Sequence, residues 1–272
     1  MTLTATILGC GSSGGVPRIG GPDGAGDWGA CDPKNPKNRR RRCSLLVTQT
    51  STAGATTVLV DTSPDMREQL IDARIGALDG VLITHDHADQ LHGLDDLRMV
   101  ALNMRRRVDV HADATTFEGV LARFGYCFVQ PAGSDYPPIL NAIQIAEPFA
   151  PFAIAGKGGP LPVVAFHQGH GRIRSLGFRF GGLAYSSDVD ALDDAAFAAL
   201  AGVDCWIVDA LRYTPHPSHA HVARTLEWIA LVKPRRAILT NLHIDLDYAA
   251  LAAELPPGVE PAYDEMVVEV TC

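Results

Sequence analysis

Apolar residues along this chain cluster in short runs, and most runs stop at a glycine or at a histidine or carboxylate. Leu3 to Leu8, Ser44 to Thr48, Thr57 to Val60 and Gly80 to Thr84 read as strands, being rich in β-branched and apolar residues. The same reading holds for Val108 to Val110, Leu161 to Phe166, Ser175 to Phe180, Leu183 to Ser187, Cys205 to Asp209, Arg236 to Leu239 and Met266 to Val270. Between them, helical spacing of apolar positions predicts helices over Met66 to Arg74, Leu94 to Arg107 and Thr115 to Phe124, then over Asp190 to Ala201, Val222 to Val232 and Tyr248 to Leu255. From Tyr126 to Ala155 the pattern weakens, broken by Pro131, Pro137, Pro138, Pro148 and Pro151, and only short strands around Ile139 to Ile145 are predicted. Pro17 to Asn38, rich in Gly, Pro, Asp and Asn, predicts a long loop or lid that reaches to about residue 43.

Composition narrows the classes. With 272 residues and 47% of them apolar, the chain can bury a large core, most simply as one domain over 1–272 or two tightly joined halves. A net charge of -8 argues against holding nucleic acid by bulk electrostatics. No apolar run approaches a membrane span, and Met1 to Leu8 lacks the start of a signal peptide, so a cytoplasmic location is expected. The six cysteines, Cys10, Cys31, Cys43, Cys127, Cys205 and Cys272, show no Cys-x-x-Cys spacing, so neither a disulfide framework nor a thiolate zinc site is indicated.

The chemistry lies at strand ends. The run Val81 to Ile83 leads into His85-Asp-His87-Ala-Asp89, where alternate side chains share a face, so two imidazoles reach one ion and Asp89 serves a second beside it. Leu161 to Phe166 ends at His167-Gln-Gly-His170-Gly171; flanked by glycines, His170 is the expected third ligand, on a loop. Asp188, after the next strand pair, either bridges two cations or caps a helix. His243, after the strand from Arg236, is the candidate to complete a second metal, and Asp61 either holds a ligand histidine or serves as a cap. Imidazole with carboxylate suits Zn2+ first and Mn2+ or iron next, so one or two such ions per chain are expected. His216, His219 and His221 precede a helix together, and one of them is placed to donate a proton. Two segments stay open on residues alone. The glycine-rich Gly9 to Gly15 is a turn beside the site or a phosphate cradle, and Arg39 to Arg42 is a solvated edge or, through Arg41 and Arg42 with His216, an anion-binding wall.

Taken together, these residues resemble the metallo-β-lactamase-fold hydrolases, through His85-Asp-His87-Ala-Asp89, His170, Asp188 and the turn from Thr240 to His243. Within that fold the chain looks most like the branch containing the carbon-phosphorus lyase operon phosphodiesterase. The shared features are Leu8-Gly9 with the glycine-rich loop, Val16-Pro17, Arg39 to Ser44, His87 to Leu97 and Leu239-Thr240. The resemblance implies an α/β fold, a four-layer αβ/βα sandwich of two mixed β-sheets flanked by helices. It also implies hydrolysis of a small cyclic or nucleotide-like phosphodiester by a metal-bound hydroxide held by Asp89 and Asp188, with His219 as the general acid. The expected partner is that small substrate, with no stable nucleic-acid partner, no membrane, and a homodimer left open. Two ligand positions depart from the pattern: Gln90 and Asn241 stand where histidines of a second metal are expected, leaving His243, or His92 a helical turn after Asp89, to fill the vacancy. Esters, thioesters and lactones are the alternative substrates, and a non-hydrolytic metal or nucleotide binder, as among pyrroloquinoline-quinone biosynthesis relatives, is the alternative class.

Overall fold

The computed structural model describes residues 1–146 and 149–270; Pro148 and Cys272 lie outside them. In chain order β1 (Thr2–Gly9), β2 (Ser44–Ser51), β3 (Gly54–Val60), β4 (Gly80–Leu82), β5 (Val108–Ala112) and β6 (Leu140–Gln144) build a first sheet. A second is built from β7 (Phe152–Ile154), β8 (Leu161–His170), β9 (Ile173–Phe180), β10 (Leu183–Ser186), β11 (Cys205–Asp209), β12 (Arg236–Thr240) and β13 (Val259–Pro261). The last strand, β14 (Met266–Val270), returns to the edge of the first sheet beside β1. The helices are α1 (Met66–Asp72), α2 (Ala88–Leu91), α3 (Leu97–Met104), α4 (Ala114–Phe128), α5 (Asp194–Leu200), α6 (Val222–Val232) and α7 (Tyr248–Glu254).

Each sheet is mixed in the same way. The order β14-β1-β2-β3-β4-β5-β6 is antiparallel through β3 and parallel beyond it, and the order β13-β12-β11-β10-β9-β8-β7 is parallel as far as β10 and antiparallel after it. Side chains that alternate along a strand divide between two cores. Leu3, Ala5 and Ile7 of β1 and Val58 and Val60 of β3 meet Leu176, Phe178, Phe180 and Ile207 of the second sheet between the sheets. Leu8, Leu59, Val81 and Val110 face outward under Met66, Leu97, Val100 and Phe117 of the first helix layer. Trp206, Val208 and Leu239 do the same under Ala196, Val222, Trp228 and Leu251 of the second. Helix, sheet, sheet and helix are the four layers that the resemblance implies.

The structure departs from the sequence pattern in three places that shape the site. The helix expected from Leu94 to Arg107 is a single turn at Leu94–Asp96 followed by α3, and α2 stands apart before it. Gly93 is the cause, since a Cβ there would lie 2.1 Å from the Ser63 carbonyl oxygen, and the chain bends to follow the loop after β3. His170 is the last residue of β8 and not a loop residue; Gly171, with φ +62, makes the turn into β9. The helix expected from Asp190 starts instead at Asp194, because Asp190 N and Ala191 O are spent on the backbone of Gly169, and Asp193 caps it by accepting from Ala196 N at 2.8 Å.

No helix among the described residues is long and apolar enough to cross a membrane. The segment from Pro17 to Cys43 is tied down along its second half. Asn38 donates to Asp247 Oδ2 at 2.6 Å, and the buried Arg40 guanidinium donates to the carbonyls of Leu246 at 2.7 Å and His243 at 3.2 Å.

Candidate metal centre

The C-terminal ends of β3, β4, β10, β11 and β12 all open on one edge of the sandwich, where parallel strands aim their terminal side chains at a common crevice. Three of these ends turn with a non-glycine residue at positive φ: Asp61 (64°), Asp188 (47°) and Asn241 (62°). Asp and Asn tolerate that conformation better than other side chains, and such strain concentrates where geometry is under functional demand.

His85, His87 and His170 meet there, with ring centroids 4.5, 4.9 and 5.0 Å apart and ligand atoms within 4.8 Å of one another. A second group, His170, Asp188 and His219, shares His170 with the first. The tautomers follow from the neighbours. His170 Nδ1 lies 2.6 Å from the Ser218 carbonyl, which only accepts, so Nδ1 carries the proton and Nε2 is bare. At His85, Nδ1 lies 3.0 Å from Thr84 Oγ1, and that hydroxyl donates onward to Asp61, which also takes the Thr84 backbone N–H at 2.8 Å. His85 Nδ1 therefore donates, and its buried Nε2 is left with no protein partner. Burial, followed by the adjacent His170, His87 and His219 rings, holds His85 well below the ordinary imidazole range, in the neutral form that ligates.

These observations test whether the residues suit a metal ion, and they do. His87 Nδ1 and His170 Nε2 face each other at 3.2 Å. Two nitrogens bound tetrahedrally at the usual zinc distance stand about 3.3 Å apart. Asp188 Oδ1 lies 3.9 Å from His170 Nε2, a position from which a carboxylate could join the ligand set, although burial raises its pKa above the usual carboxylate range. Asp61 reaches His85 only through the Thr84 hydroxyl and also accepts the Thr84 backbone N–H, so its geometry serves loop bonding and an orienting relay alike. Thr84→Val should weaken zinc binding roughly 10- to 100-fold and lower the thermal stability of the metal-free protein, because it takes the hydroxyl donor from the buried Asp61 carboxylate. Competition with a chelating dye measures the first and calorimetry the second; unchanged affinity would show that the relay does not matter.

The remaining expected residues divide. Asp89 and His216 line a polar cavity of about 250 Å³ beside the ligands, with Ser12, Ser13, Arg18, Arg212, His219, Asn241 and His243. Burial and the nearby Asp188 raise the pKa of Asp89. His219 Nδ1 donates to the fully buried Asp209 at 2.8 Å. Burial alone would depress this imidazole, but the charge and hydrogen bond of Asp209, with Asp188 and Asp89 beyond, raise its pKa to about 9. Gln90 turns its amide nitrogen to Asp188 Oδ2 at 2.7 Å, and Asn241 brings its own within 3.1 Å of His219 Nδ1.

Other expectations are corrected. Arg41 is engaged by Asp72, Asp264 and Glu265, and Arg42 by Asp65, in a separate cavity, so the structure gives neither guanidinium to the metal centre. His92 points away, its edge on Phe124 and its Nε2 3.5 Å from Arg123. His243 joins neither ligand group. After Asn241 the chain crosses to Cys10 and Leu211, burying Leu242, and leaves His243 on the cavity wall with Nδ1 2.9 Å from Asp245. At the start of the glycine-rich loop close packing demands glycine, since a Cβ at Gly9 would lie 2.1 Å from the Arg42 carbonyl oxygen. Thr84, Asp209, Ser218, Arg18 and Arg212 escaped the sequence reading. Asp209 alone carried a usable signal, an aspartate closing an apolar run as Asp61 and Asp188 do.

A β-lactamase superfamily domain is recognised over residues 56–244. The chain belongs to that superfamily. It is a hydrolase of the metallo-β-lactamase fold, whose strand-end histidines and aspartates fit a metal site. It is similar to a crystal structure described as a new diphosphatase from the PhnP family, at 30% identity and TM-score 0.86, covering 99% of this chain and 98% of that one. Zinc-bound PqqB from Methylobacterium extorquens shares the fold, at 18% identity and TM-score 0.68 over 97% of this chain and 99% of that one. A protein of Porphyromonas gingivalis (strain ATCC BAA-308 / W83) named octanoyltransferase is 31% identical over 96% of this chain, which spans only 50% of that relative.

Proposed function

We propose that this chain hydrolyses a phosphodiester or diphosphate linkage in a small cytoplasmic substrate, using one Zn2+ or Mn2+ held by His85, His87, His170 and Asp188. The observation that carries this reading is His219, held by Asp209 with its ring 4.7 Å from that of His170, a proton donor beside the metal centre. The 30% identity to a protein described as a diphosphatase supports it. A divalent ion in this donor set supplies Lewis acidity, lowering the pKa of water and offsetting charge on the phosphoryl oxygens. Asp89, on the cavity wall, takes the proton of the attacking water. As the new bond from water oxygen to phosphorus forms and the bond to the leaving oxygen breaks, His219 gives its Nε2 proton to that oxygen. Asp209 keeps the ring oriented and stabilises its charged form.

One ion is proposed because Gln90 and Asn241 offer amides where a second ion would need imidazoles. The Asp188 carboxylate holds Gln90 with its NH2 toward the site, and an amide NH2 has no lone pair to ligate. Elemental analysis of the purified, zinc-reconstituted protein should return about one equivalent per chain; two tightly held equivalents would overturn the single-ion reading. The activity itself is tested with bis-p-nitrophenyl phosphate and with a diphosphate diester, each with zinc or manganese added. Turnover of carboxylic esters, thioesters or lactones with none of either phosphate substrate would replace it with the second reading, acyl hydrolysis, which the octanoyltransferase relative favours.

A further inference from the structure

We propose that Arg18, Arg212 and Ser12 form a second anion subsite beside the metal centre, which holds a phosphoryl group other than the one attacked. This rests on the phosphoesterase reading and names its substrate class: compounds with two linked anionic phosphoryl groups, in preference to simple monophosphate diesters.

The argument starts from charge. Among the described residues Arg18 and Arg212 make no ion pair, whereas Arg41 and Arg42 nearby are matched by carboxylates. Both line the same cavity of about 250 Å³ as Asp89 and His219, and among the described residues Asp89 is the one carboxylate on its wall. Arg212 is pinned by its own loop, donating through Nε to the Thr214 carbonyl at 3.1 Å and through Nη2 to that of Pro215 at 2.8 Å, which leaves Nη1 uncommitted. Arg18 is held by its backbone, which exchanges hydrogen bonds with Asp27 in both directions at 2.9 Å, while its side chain lies along Gly14. A Cβ at Gly14 would stand 3.0 to 3.3 Å from Arg18 Nε, Cγ and Cδ, so that glycine is the bed of the side chain. Ser12 is 3% exposed, lines this cavity, and its hydroxyl has no hydrogen-bond partner. A buried donor without a partner beside two uncompensated guanidinium groups is the arrangement that a phosphate oxygen completes. A monophosphate diester carries one anionic phosphoryl group, which the metal centre engages; the arginines then face nothing. A diphosphate fills both places, since the cavity lined by the two arginines is also lined by Asp89 and His219.

The test compares the zinc-loaded wild type with Arg18→Ala and Gly14→Ala on two substrates. One is the p-nitrophenyl ester of thymidine 5′-phosphate, with a single anionic phosphoryl group, and the other is ADP-ribose, with two. Each variant should lose roughly 10- to 100-fold in kcat/KM on the diphosphate, chiefly through KM, and stay within about twofold on the monophosphate ester. Arg39→Ala, which removes the same charge from the exposed face over Trp28, should change neither. Equal losses on both substrates, or none on the diphosphate, would overturn the subsite. If the wild type turns over neither substrate, the phosphoesterase reading fails, and calorimetric titration with inorganic pyrophosphate still decides the subsite. Binding weakened about tenfold or more by Arg18→Ala upholds it, and equal binding by the two proteins refutes it.

Discussion

His87→Ala is expected to leave the purified protein with little bound metal and to lower phosphodiester turnover by about a thousandfold or more. The imidazole sits at the mouth of the ligand group, exposed, with Nδ1 3.2 Å from the bare Nε2 of His170. Removing it takes away one nitrogen ligand and buries nothing in exchange, so folding should survive. The Lewis acidity lost with the ion is worth several kcal/mol of transition-state stabilisation, and each 1.36 kcal/mol is about tenfold in rate. Elemental analysis and turnover of bis-p-nitrophenyl phosphate give the two readings. Full metal content in the variant would mean that His87 does not ligate, and wild-type turnover without metal would mean that the chemistry lies elsewhere.

His219→Gln is the second large effect, and it should separate two roles that the geometry allows. His219 belongs to a group that includes the Asp188 carboxylate, and it is also the partner of buried Asp209. Glutamine keeps a donor toward Asp209, whose buried carboxylate alanine would leave with the Val189 N–H alone, at a stability cost of up to about 3–5 kcal/mol. As general acid, His219 should matter by about a hundred- to ten-thousandfold for a substrate with an alkoxide leaving group. It should matter little for p-nitrophenolate, which departs unprotonated. Metal content should be unchanged. A variant that loses an equivalent of metal, or slows equally on both leaving groups, would move His219 from proton donor to ligand.

The residues at which sequence reasoning failed share one cause. Arg41 and Arg42 looked like an anion-binding wall because four guanidinium groups stand in a row, but Asp65, Asp72, Asp264 and Glu265 reach them from distant segments. Arg40 stands in the same run and is buried against carbonyls of the 243–246 turn. Four like residues have separate fates, set by what each meets from distant parts of the chain. His243 and His92 failed similarly: both are near Asp89 or Asn241 in sequence, and the bends at Gly93 and Asn241 turn them aside. Conversely, the meeting of His85, His87, His170 and Asp188 was legible, because they stand at or just past the ends of apolar runs and so at the edge of a sheet.

The order of strands and helices, the edge on which they open, and the residue types that stand there were written in the hydrophobic pattern, because burial periodicity is a local property of the chain. Tertiary structure alone decided which nitrogen of each histidine is bare and which arginines stay unpaired, and put Asp209 behind His219. Those depend on partners such as Ser218, Thr84 and Asp264 from other segments, and hydrogen-bond geometry between distant segments leaves no trace in local spacing.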